Sequence, residues 1–202
     1  MATSFTPPPL VGGGWGEASG RPNLRHDPGT NPSPRPPPTG LGGVEVTIPD
    51  GTILERNETA ETFVTTLAQR FITHPGAALF LDYGPTTSGF GDSLQALRAG
   101  QPTDPLGPAG EADLTAHVDF TALATAARAI GADAHGPLPQ GVFLTRLGLF
   151  QRTGALARNQ PPTRAAALID AASRLAEPSR MGRLFKAFAL SSPPAAALPG
   201  FE

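Results

Sequence analysis

The strongest constraint on how this chain folds is a short apolar run, Ala77-Ala78-Leu79-Phe80-Leu81, that stops at Asp82-Tyr83-Gly84. An unbroken run of this length ending in turn residues predicts a strand buried on both faces of a parallel sheet. In open α/β sheets, ligands sit outside the carboxyl ends of such strands. Asp82 and Tyr83 are therefore expected at a rim where chemistry happens. The residues before the run have a helical period. Ala60, Phe63, Val64, Leu67, Ala68 and Phe71 follow the i, i+3, i+4 spacing of one buried face. Asn57 can cap that helix, Glu58 and Glu61 suit its positive end, and His74-Pro75-Gly76 stops it. A helix leading into a buried strand is half of a doubly wound unit, so the expected fold class is α/β.

Beyond Gly84 the chain alternates loops with short elements. Pro85 to Gly91 (PTTSGFG) is a loop placed directly after the strand, where binding loops sit. Gly89 and Gly91 do not make a phosphate loop, because no Gly-Lys-Ser/Thr follows them. Ser93 to Ala99 predicts a helical turn, and Asp104-Pro105-Leu106 and Pro108-Ala109-Gly110 predict turns. Gly110 to Phe120 then packs four ionisable side chains (Glu111, Asp113, His117, Asp119) and Thr115 into eleven residues. A helix from Asp119 to Ile130 follows, with Asp119 as cap, Phe120, Leu123, Ala127 and Ile130 as apolar face, and Gly131 as stop. Arg164 to Leu175 predicts an amphipathic helix ended by Pro178, and the alternation of Leu184 to Leu190 predicts a terminal strand.

Composition limits the rest. Of 24 Gly and 24 Pro, many fall in residues 1–43, a tract with PPP, GGG and PSPRPPP. Such a tract cannot bury enough apolar area to offset its ordering entropy, so residues 1–43 are expected to be disordered, with Trp15 a lone exposed aromatic. The folded domain is expected over residues 44–202, entered through a hairpin or strand with a turn at Val44 to Ile53. A net charge of -2 gives no electrostatic case for nucleic acid or an anionic membrane. There is no Cys, which excludes disulfides and thiolate chemistry. No apolar run approaches the roughly 20 residues of a membrane-spanning helix, so no membrane insertion is expected. Neither an arginine-rich amphipathic presequence nor the apolar core of a secretory signal is visible after Met1. Lys186 is the only lysine.

Four blocks carry a resemblance: LFLDYG, then GDSLQALRAGQPTDPLGPAGEADLTAHVDF, then GPLPQGVFLTRLGL, then MGRLFKAFAL. In this order they resemble the carboxyl-terminal half of the MidA family of S-adenosylmethionine-dependent methyltransferases. Mitochondrial members of that family are protein arginine methyltransferases acting in respiratory complex I assembly. The resemblance implies a partial Rossmann-like methyltransferase fold, one more strand near 133–136, a helix from about Gly141, and the family's seventh strand at 184–190 beside its fifth at 77–81. It implies S-adenosyl-L-methionine as cofactor and a type II protein arginine methyltransferase activity. The expected partner is a protein substrate, a complex I subunit, and the expected location is the mitochondrion, with the cytoplasm as alternative. The family's glycine-rich cofactor loop, ribose-binding acid and Asn-Glu motif lie upstream of the matched blocks, so no cofactor-binding residue is assigned. A truncated, non-catalytic homologue acting as a binding or assembly module, or an incomplete gene product, is the alternative.

Methyl transfer to a guanidinium requires that the acceptor nitrogen lose a proton and be held in line. Carboxylates suit both tasks, pairing with guanidinium through two parallel hydrogen bonds and accepting its proton. The expected catalytic set is Asp82, Tyr83, Asp113, His117 and Asp119, with Glu111 a further carboxylate. Plain capping is the competing explanation of Asp119, and a solvated loop charge that of Asp113 and Glu111. His117 and Asp119 are too few for a zinc site, and His26, His74 and His135 lack ligand spacing, so no metal is expected.

Overall fold

The computed structural model describes residues 48–194 and 197–202. The expectations for residues 1–43 and for Val44 to Thr47 lie outside these. Within Val44 to Ile53 the described part holds no strand; only a turn remains, with Thr52 N–H donating to the Pro49 carbonyl at 3.2 Å. Helix α1 (Glu58–Thr73) begins as its sequence predicts, the Asn57 side chain accepting from Ala60 N–H at 2.9 Å. Strand β1 (Ala77–Tyr83) follows. Ser93 to Ala99 is not a helical turn. It contains strand β2 (Gln95–Arg98), which pairs antiparallel with β3 (Gln101–Thr103) and β4 (Asp113–Thr115). The tight reversal at Ala99-Gly100, both at positive φ, makes a hairpin possible where local pattern alone resembles a turn of helix.

Helix α2 (Phe120–Ala129) is capped by Asp119 and closed by Gly131 at φ +91°. Strand β5 (Asp133–Pro139) extends the expected strand, and the helix expected from Gly141 is two: α3 (Gln140–Arg146) and α4 (Leu149–Ala157). The break falls at Gly148, whose φ of +83° no right-handed helix accommodates. Helix α5 (Pro162–Ala176) ends before Pro178, short α6 (Met181–Leu184) follows, and β6 (Phe185–Ser191) is the terminal strand.

The main sheet has the order β1-β6-β5, and both pairings are antiparallel. The expected adjacency of the two apolar strands is present, but β1 does not lie in a parallel pair, nor is it buried on both faces. It has one strand neighbour among the described residues, and Leu79 and Leu81 are 50% and 47% exposed. The doubly buried strand is β6, where every residue from Lys186 to Ser191 is buried. Helices α1 and α2 cover one face of this sheet: Val64, Ala68, Phe71, Phe120, Leu123, Ala124 and Ala127 pack with Phe188 and Leu190 in a single core. Phe63, expected on the buried face of α1, is instead more than half exposed and meets Phe80 edge-on at 6.4 Å.

Candidate functional site

The carboxyl end of β1 is roofed by the segment that runs into α2. Val118 N–H donates to the Tyr83 carbonyl at 3.0 Å, so residues 117–119 cross directly over the strand end. Gly84 permits this approach: a Cβ there would collide with the Val118 carbonyl oxygen. The crossing sets the His117 ring edge-on to Tyr83, centroids 6.0 Å apart, and Tyr83 in turn edge-on to Phe185 at 5.8 Å.

Two anchors hold the roof. Ser93 Oγ accepts from His117 N–H at 2.9 Å and donates to the Glu55 carboxylate, which also accepts from the backbone N–H of Ser93 and Leu94 at 2.9 Å each. Asp119 Oδ1 accepts from Ala122 N–H at 2.9 Å as a helix cap and from Ser88 Oγ at 2.8 Å. The same carboxylate thus caps α2 and ties down the loop after β1. Thr121 Oγ1 donating to the Thr86 carbonyl at 3.2 Å adds a second tie.

Asp82 accepts from Tyr83 N–H at 2.8 Å and lies opposite Lys186 in the β1–β6 register, although the two heads form no ion pair. Burial first, and the Asp82 charge second, push the Tyr83 phenol above its ordinary pKa, so it stays a hydrogen-bond donor near neutrality. Lys186 is buried, its Nζ donating to the carbonyls of Arg183 at 2.8 Å and Leu184 at 3.0 Å. Burial, reinforced by the Arg183 charge, lowers its pKa. Lys186, Arg183, Arg180 and His117 line a cleft of ≈ 350 Å³ at this strand end.

Of the expected site residues, Asp82, Tyr83, His117 and Asp119 gather at the end of β1. Asp113 sits on β4 opposite Leu97, exposed, and its side chain makes no hydrogen bond or ion pair among the described residues. Four residues of chain from His117, it lies at most about 14 Å away. Glu111 is held by Arg98 at 2.6 Å on the small sheet. Sequence reasoning missed Glu55, Ser88, Ser93 and Lys186. For Lys186 a signal existed: it is the one charge inside the apolar alternation of β6.

A family model described as "Putative S-adenosyl-L-methionine-dependent methyltransferase" matches residues 17–138. The chain belongs to this family. It is 31% identical over 156 residues to the mitochondrial protein arginine methyltransferase NDUFAF7 of Danio rerio, covering 71% of this chain and 36% of that protein. To the mitochondrial homologue of Drosophila melanogaster it is 34% identical over 142 residues, covering 68% and 31%. Among solved structures, a Burkholderia thailandensis protein described as a "likely methyl transferase" and bound to S-adenosyl-homocysteine superposes with a TM-score of 0.59 at 28% identity, covering 72% of this chain and 39% of that one. A second Burkholderia thailandensis structure reaches a TM-score of 0.62 at the same identity. The fold expected from the sequence, a partial methyltransferase fold of helices and sheet, is thereby shown. The chain spans about a third of the length of the curated relatives it matches.

The cleft at the end of β1 does not by itself fit a nucleoside cofactor. A cofactor of this kind needs close backbone approach at a glycine turn and a carboxylate for its ribose. At Gly84 the space is filled by Val118, whereas Gly89 and Gly91 face open space; no carboxylate lines the cleft.

Proposed function

We propose that this chain forms the acceptor side of an S-adenosylmethionine-dependent protein arginine methyltransferase of the mitochondrial complex I assembly type. Its substrate is a protein, a complex I subunit, its arginine methylation is of type II, and its place of action is the mitochondrion. The observation that carries the reading is the crossing of residues 117–119 over the end of β1, which draws Asp82, Tyr83, His117 and Asp119 to one strand end in a chain of this family.

In this reading Asp119 and Asp82 receive the guanidinium, a carboxylate pairing with it through parallel hydrogen bonds and accepting the proton its nitrogen must lose. His117 and the Tyr83 phenol orient the acceptor, and positioning of this kind supplies much of the rate in such transfers. Asp113, exposed on β4, belongs to the rim that the substrate polypeptide crosses. The cofactor is held by the part of the family's fold outside this match, so this chain alone binds S-adenosylmethionine weakly or not at all.

A second reading, a non-catalytic binding or assembly module, is favoured by one observation: β1 leaves its outer edge unpaired among the described residues, with Leu79 and Leu81 half exposed. One experiment separates the two. Residues 48–202 are joined to the amino-terminal part of the Burkholderia thailandensis relative, and methyl transfer to arginine is measured. The catalytic reading expects transfer that falls at least ~10-fold in Asp119→Asn and His117→Ala, the effect of about 1.4 kcal/mol on the barrier. Transfer at the unmodified rate in both variants rejects the site assignment.

A further inference from the structure

The cleft is built from four chain segments: the residues just after β1, the crossing at His117, the turn after α5, and the junction of α6 with β6. Its charged lining is entirely basic: Arg180, Arg183 and Lys186. Arg180 is already neutralised, paired with Asp170 at 2.7 Å and Glu177 at 3.5 Å. Arg183 is exposed and has no ion pair among the described residues. Lys186 is only 8% exposed, and its ammonium gives two of its three N–H groups to main-chain carbonyls. Asp82, its cross-strand neighbour, does not close an ion pair with it. A buried ammonium with a spare donor, next to a free guanidinium, is costly to the fold unless an anion completes it.

We propose that this cleft binds a carboxylate side chain of the substrate polypeptide, next to the residue presented to the Asp82–His117–Asp119 end of β1. The lining selects that chemistry. A phosphate is usually wrapped by several main-chain N–H groups. Here Pro85 and Pro178 have none, and the N–H groups of Arg180 and Gly182 are both spent on the Glu177 carbonyl. The side-chain donors the cleft offers are the spare Lys186 ammonium N–H, the Arg183 guanidinium fork and the His117 ring, a match for the two coplanar oxygens of Asp or Glu. The assignment rests on the acceptor-side reading above for its neighbour, but not for the cleft itself. It predicts a preference for acceptor arginines with an acidic residue close by in the polypeptide.

Because Lys186 is the only lysine, the full chain grown with 13Cε-lysine gives a single side-chain reporter at the floor of the cleft. Three probes are titrated: a blocked peptide with one arginine flanked by glutamates, the same peptide with glutamines, and inorganic phosphate. The glutamate peptide is expected to move the Lys186 resonance saturably and to raise the pH at which it titrates. The glutamine peptide is expected to do neither, and Arg183→Gln, an exposed position away from the core, is expected to weaken glutamate binding at least fivefold. No shift with the glutamate peptide, an equal shift with the glutamine peptide, or a shift with phosphate alone overturns the proposal. A glutamate peptide lacking arginine separates the two readings. Binding as tight as that of the parent supports the cleft and counts against the arginine-acceptor site, since methyl transfer is not what is read.

Discussion

Two strands of the main sheet, β1 and β6, look alike as sequence and differ as structure. AALFLDY and FKAFALS are both short, apolar and bounded by turns. Strand β6 has a neighbour on each edge and is buried from Lys186 to Ser191, with Phe188 and Leu190 fully enclosed. Strand β1 has a neighbour on one edge and half-exposed leucines on one face. The contrast shows that an apolar run specifies a strand but not what covers it. Coverage is decided by which distant segments arrive on either side. A second difference lies at the strand ends. That of β6 carries a buried ammonium, while that of β1 is roofed by a segment anchored through side-chain hydrogen bonds.

The largest test of the contrast is in the core. Phe188→Ala is expected to cost about 3–5 kcal/mol, the usual range for a buried aromatic. Leu79→Ala, half exposed already, is expected to cost about 1 kcal/mol from the area it still buries. Urea unfolding of both variants measures this, and equal losses would show that another surface covers β1 in solution.

Next in size is Gly84→Ala. Its Cβ meets a main-chain carbonyl that cannot rotate away, so overpacking of roughly 1–3 kcal/mol is expected. The roof should lift with it. The His117 ring protons, now beside Tyr83, would move toward random-coil shifts in the NMR spectrum; an unmoved His117 spectrum would mean the crossing is not needed to hold the ring.

Smaller effects are expected at Asp119. Asp119→Asn keeps an acceptor for Ala122 N–H and should leave the melting temperature close to that of the parent. Asp119→Ala loses the cap and about 1 kcal/mol. If the two variants melt together, the cap is not what holds the amino end of α2.

The smallest effect is on the pH dependence of stability. Burial lowers the Lys186 pKa in the folded protein, against about 10.4 in the unfolded chain. Between those values the unfolded chain holds the proton that the folded protein has released, so stability rises with pH through that window. Below it the burial penalty is fully present. Lys186→Met should lack the rise when urea midpoints are compared across the window, and a parallel slope in both proteins would place the Lys186 head in water.

Much of the helical architecture was legible because its determinants are local. Asn57 and Asp119 cap their helices through bonds to residues three positions on, and Gly131 ends α2 by a backbone conformation of its own. The positions of α1, α2 and α5 follow from apolar spacing within single turns. The same locality explains the errors. Ser93 to Ala99 resembled a helical turn because nothing within seven residues shows that β3 and β4 flank β2. The single helix expected from Gly141 ignored the positive φ that Gly148 adopts.

The site divides along the same line. Tyr83, His117 and Asp119 were readable as a chemical concentration near a strand end, and the structure gathers them there with Asp82. Asp113 is close to them in sequence, yet it belongs to the small sheet, where Glu111 reaches Arg98. Glu55 and Ser93 were not legible, because their roles depend on partners far along the chain. Ser93 lies 38 residues from Glu55 and 24 from His117. By itself the sequence determined the family, the helices with their caps and stops, and the apolar strands, because each rests on interactions within a few residues. The tertiary structure alone decided the antiparallel order β1-β6-β5, the burial of β6 over β1 and the basic cleft at Lys186, because those depend on contacts that only chain closure over long separations can form.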